Sequence, residues 1–445
     1  MGSALLTDLY ELNMAASYLR RGMVGPATFS LFVRRLPPTR GFLAAAGLED
    51  CLAFLEGLRF EEEDLRYARS ELGFGEQDVR AFADLRFTGE VWAVPEGTIV
   101  LANEPILEVT APIAEAQLAE TFLLNQVTFQ TTVASKAARC LLAAGGRDLV
   151  DFSFRRTQGV EAAMAVARAT AIAGFVATSN VEAARRFGLR AAGTMAHSFV
   201  EAFPTEEQAF RAFAEDFPGR TTFLVDTYDT LGGVRAAIET IRALGLSEGL
   251  GIRLDSGDLE ALARGSRALL DEAGLPAVRI FASGGLDELE IDELVRGGAP
   301  IDAFGVGTRV GVSDDAPSLD SAYKLVRFGE RPVLKLSPEK ATAPGAKQVF
   351  RSEGLRDAIG LRDEPVPAGA RPLLEPVMAG GRRLRPPEPL AAARERLAVD
   401  LAALPDEARD LRSPRAPAVP FTPAARDLLE RARGERVRAP SAEAR

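Results

Sequence analysis

The chain has 445 residues, 47% of them apolar, enough for two or three folded units rather than one. Its 53 Lys and Arg against 63 Asp and Glu leave a net charge of −10, which argues against a nucleic-acid partner, because phosphate neutralisation needs a basic surface. Two distant cysteines, Cys51 and Cys140, and one histidine, His197, supply neither a disulfide framework nor a zinc ligand set, so any metal is expected to be a hard ion such as Mg²⁺ in a reducing, cytoplasmic setting.

The opening stretch "MGSALLTDLYELNMAASYL" meets Asp8 and Glu11 too early for a signal peptide. Leu6 stands where a myristoylation pattern needs Ser or Thr, and no charge-free apolar run is long enough to cross a bilayer. "TDLYELNMAASYLRRG" predicts a helix capped by Thr7 or Asp8. "ATFSLFVRRLP" reads as a strand, "LEDCLAFLEGL" as a helix, and "GEVWAVPEGTIVLANEPILEVTAP" as a small β-rich region. A long helical stretch, broken once, follows in "EAQLAETFLLNQVTFQTTVASKAARCLLAA".

From about residue 148 the pattern turns regular. "LVDFSF", "TTFLVD", "GLGIRL", "AVRIFA" and "IDAFGVG" alternate with amphipathic segments such as "GGVRAAIETIRAL" and "LEALARGSRALLDEA". Repeated strand–helix units imply a parallel sheet with right-handed crossovers. About six of them in one run favour a β/α barrel over an open doubly wound sheet. After residue 327, "RFGERPVLKLSPEKATAPGAKQVFR" offers strands that return to the first region, and "RARGERVRAPSAEAR" reads as a frayed end. The expected division is 1–140, 141–326 and 327–445.

Each expected strand ends in a polar cluster, and the loops after the strands of a β/α barrel share the face that carries the active site. "DFSF" runs into Arg155 and Arg156, "TTFLVD" into "DTYDT", and "GIRL" into "DSGD". "SGGLD" and "GVGTRVG" let backbone N–H groups approach an anion. Asp255 and Asp258 beside Arg253 suit sugar hydroxyls, Mg²⁺ or phosphate, although a capped helix accounts for such a motif standing alone. His197, in "GTMAHS", lies between two of these strands, with Asp226 at the next strand end to orient it. Together the clusters describe a site for a phosphorylated sugar and a planar acid.

The ordered blocks "TDLYELNMA", "FVRRLPPTRGF", "DFSFRRTQG", "GTMAHS", "DTYDT", "RLDSGD", "ASGG", "GVGT" and "KQVFR" resemble nicotinate phosphoribosyltransferase, from Thr7 to about Arg351. The resemblance implies synthesis of nicotinate mononucleotide and diphosphate from nicotinate and 5-phosphoribosyl 1-diphosphate, in NAD salvage. It implies coupling to ATP through phosphorylation of His197; the metal expected from the carboxylates of "RLDSGD" is Mg²⁺, with Asp255 as its candidate ligand. It implies that Phe152 stacks on the pyridine ring, with Tyr10 of a second subunit on the other side, and that Arg155 lies near the ring. Arg253 and Asp255 would hold the phosphoribosyl portion, and Ser283, Gly284, Gly285, Gly307 and Thr308 its 5-phosphate. The implied fold is an irregular β/α barrel packed on a smaller mixed α+β domain built from both ends of the chain, working as a homodimer.

Three rivals are separable. The nicotinamide-specific relative carries an aspartate where this chain has Ser179, and an aspartate repels a carboxylate substrate that a serine hydroxyl can bind. The quinolinate enzyme lacks the phosphohistidine motif. A catalytically silent phosphoribosyl-binding protein has no need of His197, Asp226 and Asp255 together.

Overall fold

In a computed structural model, residues 3–337 and 342–438 are described. The chain divides into two compact units, Met1–Thr132 with Ser318–Arg445, and Val133–Pro317.

The second unit is built on six parallel strands: β1 (Asp148–Asp151), β2 (Ala177–Thr178), β3 (Thr222–Leu224), β4 (Gly251–Leu254), β5 (Arg279–Ala282) and β6 (Ala303–Val306). Their spatial order is β2-β1-β6-β5-β4-β3. This is a cyclic succession opened between β2 and β3, so the curled sheet is a half-barrel; among the described residues no pairing joins those two strands. The opening is where the chain departs from simple alternation. An isolated bridge from Thr178 to Ala191, then the helices His197–Glu201 and Glu206–Asp216, lie between β2 and β3 in sequence. The two-residue β2 is not among the strands expected from sequence, being too short to show a period.

The helices that follow β2, β3, β4 and β5 begin on a polar cap, whereas those after β1 and β6 begin on Gly159 and Gly307. In Thr230–Leu244, Val234, Ala237, Ile238 and Ile241 fall at i, i+3, i+4 and i+7 and are buried, and Asp229 caps the helix by accepting from the Gly232 amide. Asp258 does the same for Leu259–Glu272, accepting from Ala261 N at 3.0 Å. The strands themselves are short apolar runs, as expected of a parallel sheet covered on its faces.

The first unit holds a seven-stranded antiparallel sheet. Ser321–Phe328 pairs with Pro26–Val33, and Glu375–Ala379 pairs with Glu90–Ala93, so strands from after residue 318 join the sheet begun before residue 112. The long helical stretch does break once, at Ala119 between Ile113–Leu118 and Glu120–Ala144. The first helix, Leu9–Arg20, has Asp8 at its N-cap but no side-chain cap bond. Asp8 instead accepts from the hydroxyl of Thr121 on helix Glu120–Ala144, and Thr7 donates to Glu11 one turn on. Of the end expected to fray, residues 431–438 finish the helix Pro423–Arg438, and 439–445 lie outside the described residues.

Arg351 ties this unit together. Its guanidinium donates to Asp357 at 2.6 Å, to Asp400 at 2.7 Å and to the Ile99 carbonyl at 2.6 Å, and all three side chains are buried. Arg351→Met would leave Asp357 buried without this cation and Asp400 with only Arg371, 3.7 Å away. The expected loss is about 3–5 kcal/mol, a fall of roughly 6–20 °C in the melting midpoint of this unit, read by calorimetry. An unchanged midpoint would show the pair to be energetically idle.

Candidate active site

Because all six strands run parallel, their C-terminal ends share one edge of the sheet. The ladder continues one residue into the loops. Phe152 N donates to Val306 O, Ser179 N to Asp151 O and Ser283 N to Leu254 O, each at 2.8 Å. The site side chains therefore leave from the stiff end of a sheet.

At the centre, His197 Nε2 lies 3.2 Å from Asp226 Oδ1. The imidazole is 40% exposed and the carboxylate 1%. Asp226 Oδ2 accepts from the Asp255 amide at 3.1 Å and the Ser256 hydroxyl at 2.5 Å, so this carboxylate is locked from both sides. With Nε2–H directed to Asp226, the Nδ1 lone pair is the nitrogen left for chemistry. Asp255 in turn accepts from Ser283 Oγ at 2.5 Å and pairs with Arg253 Nη2 at 3.5 Å. Arg253 Nη1 donates to Thr194 Oγ1 at 2.5 Å, whereas its buried Nε has no partner among the described residues. Burial pulls the Arg253 guanidinium below its usual value, the Asp255 and Asp226 charges acting the other way. His197, Asp226, Asp255, Arg253 and Ser283 thus form one connected chain.

The glycine loops differ. Gly284 has φ +97, and a Cβ there would sit 2.0 Å from the Asp255 carbonyl, so only glycine fits; Gly285 is left-handed too, at φ +72. Gly307 has φ −115, outside the left-handed region. Thr308 opens the short helix Thr308–Gly311. Phe152 is half-buried, its ring 5.5 Å from Phe281 at 46°. Arg155 is exposed, in the 3₁₀ turn Phe154–Arg156. Tyr10 belongs to the first unit, exposed near the start of Leu9–Arg20.

Residues 5–128 match the nicotinate phosphoribosyltransferase (NAPRTase) N-terminal domain, and residues 148–325 match the nicotinate phosphoribosyltransferase (NAPRTase) family. The chain is an enzyme of the nicotinate phosphoribosyltransferase family. It is 50% identical over 414 residues to a nicotinate phosphoribosyltransferase of Mycobacterium tuberculosis, covering 92% of this chain and 89% of that one. To the Bacillus subtilis nicotinate phosphoribosyltransferase it is 44% identical, over 82% of this chain and 77% of the other. The crystal structure of human nicotinic acid phosphoribosyltransferase superposes with a TM-score of 0.84 at 30% identity, covering 96% of this chain and 99% of the human one.

Within this phosphoribosyltransferase, three further groups escaped the sequence reading. Asp151, buried at the end of β1, accepts from Ser153 N at 2.9 Å and from Thr178 Oγ1 at 2.7 Å, bridging the loops that carry Phe152 and Ser179. Burial pushes its carboxyl up, partly offset by those donors. Ser256 completes the hold on Asp226. Glu206, the first residue of Glu206–Asp216, is pushed up to about 7 by burial, aided by Glu207, Asp229 and Asp226. Glu206, with Glu201 before it and Glu207 beside it, had no local signal to single it out, and the other two are recognisable only once the strand ends are brought together. No helix among the described residues is long and apolar enough to cross a membrane.

Proposed function

We propose that this enzyme joins nicotinate to 5-phosphoribosyl 1-diphosphate, releasing nicotinate mononucleotide and diphosphate for NAD salvage, and couples the reaction to ATP through phospho-His197. The family membership supports the transfer. The observation that carries the coupling is the His197–Asp226 pair, joined through Asp226 to the loop of Asp255. His197 Nδ1 attacks the γ-phosphorus of ATP, the bond to ADP breaks, and Asp226 holds the Nε2 proton and balances the charge on the ring. In the transfer step the pyridine nitrogen forms its bond to ribose C1 as the C1–O bond to diphosphate breaks. Phe152 and Tyr10 of a second subunit hold the ring, Arg155 and Ser179 receive its carboxylate, and Arg253 and Asp255 hold the ribose. Ser283, Gly284, Gly285, Gly307 and Thr308 take the 5-phosphate.

Among the described residues no group of three or more His, Cys, Asp and Glu could hold a metal. Asp255 offers one carboxylate, shared with Ser283 and Arg253, which fits Mg²⁺ held mainly by substrate phosphates with a single protein anchor. Bound there, the ion would neutralise charge on the leaving diphosphate. In this reading the half-barrel carries the chemistry, a mixed α+β domain is drawn from both ends of the chain, and two chains form a cytoplasmic homodimer.

The test is diphosphate release from 5-phosphoribosyl 1-diphosphate with Mg²⁺, using nicotinate or nicotinamide, with and without ATP. Strong preference for nicotinate and stimulation by ATP are expected. Preference for nicotinamide would move the chain to the amide-specific relative, and no turnover with either base would make it a phosphoribosyl-binding protein.

A further inference from the structure

Two residues of the glycine motifs have no role in that reaction: Asp287 of "SGGLD" and Arg309 of "GTRVG". Asp287 closes the first loop and caps the helix Glu288–Arg296, its Oδ1 accepting from the Leu289 and Glu290 amides at 2.8 and 3.4 Å. Its other oxygen accepts from Arg309 Nη1 at 2.8 Å. Arg309 is the second residue of Thr308–Gly311 and also donates to Glu290 Oε1 at 2.7 Å, whose partner oxygen takes the Asp287 amide at 3.1 Å. Lys136, 1% exposed, backs the same junction. Its Nζ lies 2.6 Å from Glu288, 3.6 Å from Asp287, and 3.4 and 3.1 Å from Asp314 and Asp315, which follow the second loop.

We propose that the Arg309–Asp287 pair is a clamp that sets the spacing of the loops Ser283–Gly285 and Gly307–Thr308, making Arg309 a positioning residue for the sugar 5-phosphate. The inference rests on the reading of those loops as the phosphate site. Arg309 is poorly placed to serve as a phosphate ligand itself, because its Nη1 already serves two carboxylates that cancel its charge. Burial opposes ionisation of Asp287, yet Glu290, Arg309 and Lys136 outweigh it and hold the carboxyl well below its usual range, so the clamp is charged at neutral pH. An anion bound at two backbone loops needs them at a fixed separation, and an ion pair between their ends, half-buried at Arg309 and buried at Asp287, supplies that.

The experiment compares Arg309→Met, Asp287→Asn and the double variant, with Arg309→Lys keeping the charge in case the neutral variants fold poorly. Ribose 5-phosphate binding is measured by calorimetry, alongside steady-state KM for the sugar diphosphate and for nicotinate. Each single change is expected to weaken ribose 5-phosphate and raise the sugar-diphosphate KM about tenfold, with the double variant no worse than either single. The nicotinate KM should stay within about twofold, and Arg309→Lys should recover part of the loss. Additive losses, or an Asp287→Asn enzyme that binds ribose 5-phosphate as well as wild type, would mean that Arg309 touches the phosphate directly and would overturn the clamp. Wild-type protein that binds ribose 5-phosphate but makes no nucleotide would overturn the proposed reaction and leave the clamp standing. Wild-type protein that does not bind it at all would overturn both.

Discussion

His197→Ala is expected to abolish ATP hydrolysis and acid-labile labelling from γ-labelled ATP, a loss of at least about 10³-fold, because the nucleophile itself is gone. Slow synthesis without ATP should survive. The reason lies in how Asp226 is held. Its second oxygen keeps the Asp255 amide and the Ser256 hydroxyl when the imidazole is removed, so the loop that carries Asp255 retains its shape. His197 itself is 40% exposed at the start of a five-residue helix, so truncation empties no core. A variant that still takes up acid-labile phosphate would place the phosphoryl acceptor elsewhere. A variant that also loses the ATP-independent reaction would make His197 part of the transfer step rather than of the coupling.

The gathering of the polar clusters was legible in the sequence, because parallel β/α units put each one after a strand on a common edge. What the motifs could not separate was function from capping. In "DTYDT", Asp226 bonds the histidine and Asp229 caps the helix; in "DSGD", Asp255 accepts from Ser283 and Asp258 caps. In "SGGLD" the cap is Asp287, four residues after Ser283. Each loop thus uses one polar residue at the strand end and a later one at the helix start, a division set by the length of the turn. The half-barrel's opening was not legible, since β2 is two residues long and the bridge at Ala191 shows no period. Asp151 was missed for a related reason. Its partners are a nearby amide and the hydroxyl of Thr178, 27 positions away, and no local spacing announces that bond.

In the proposed reaction, base selectivity turns on the loop after β2. Ser179→Asp is expected to cut nicotinate use and gain some nicotinamide use, shifting the preference ratio by about 10²-fold, the effect of roughly 2–4 kcal/mol of repulsion between two carboxylates in a partly buried site. The bland alternative for a serine before a helix is that it caps the helix. Here Asn180 takes that task, its Oδ1 accepting from the Ala183 amide at 3.1 Å at the start of Val181–Phe187. The Ser179 amide is fixed to the Asp151 carbonyl at 2.8 Å, and the half-buried hydroxyl makes no hydrogen bond among the described residues, so it is available to a ligand. Asp151, through Thr178, holds this turn beside the loop of Phe152 and Arg155. Nicotinate and nicotinamide differ little in shape, and a purely apolar slot separates such isosteres poorly; donors and charge do so strongly. Ser179→Asn distinguishes charge from size, for it has nearly the volume of aspartate without the negative charge and should keep nicotinate as the better substrate. Competition between the two bases, measured for wild type and both variants at equal ATP and sugar diphosphate, decides the matter. An unchanged ratio in the aspartate variant would remove Ser179 from the base site, and equal losses in both variants would make the effect one of crowding.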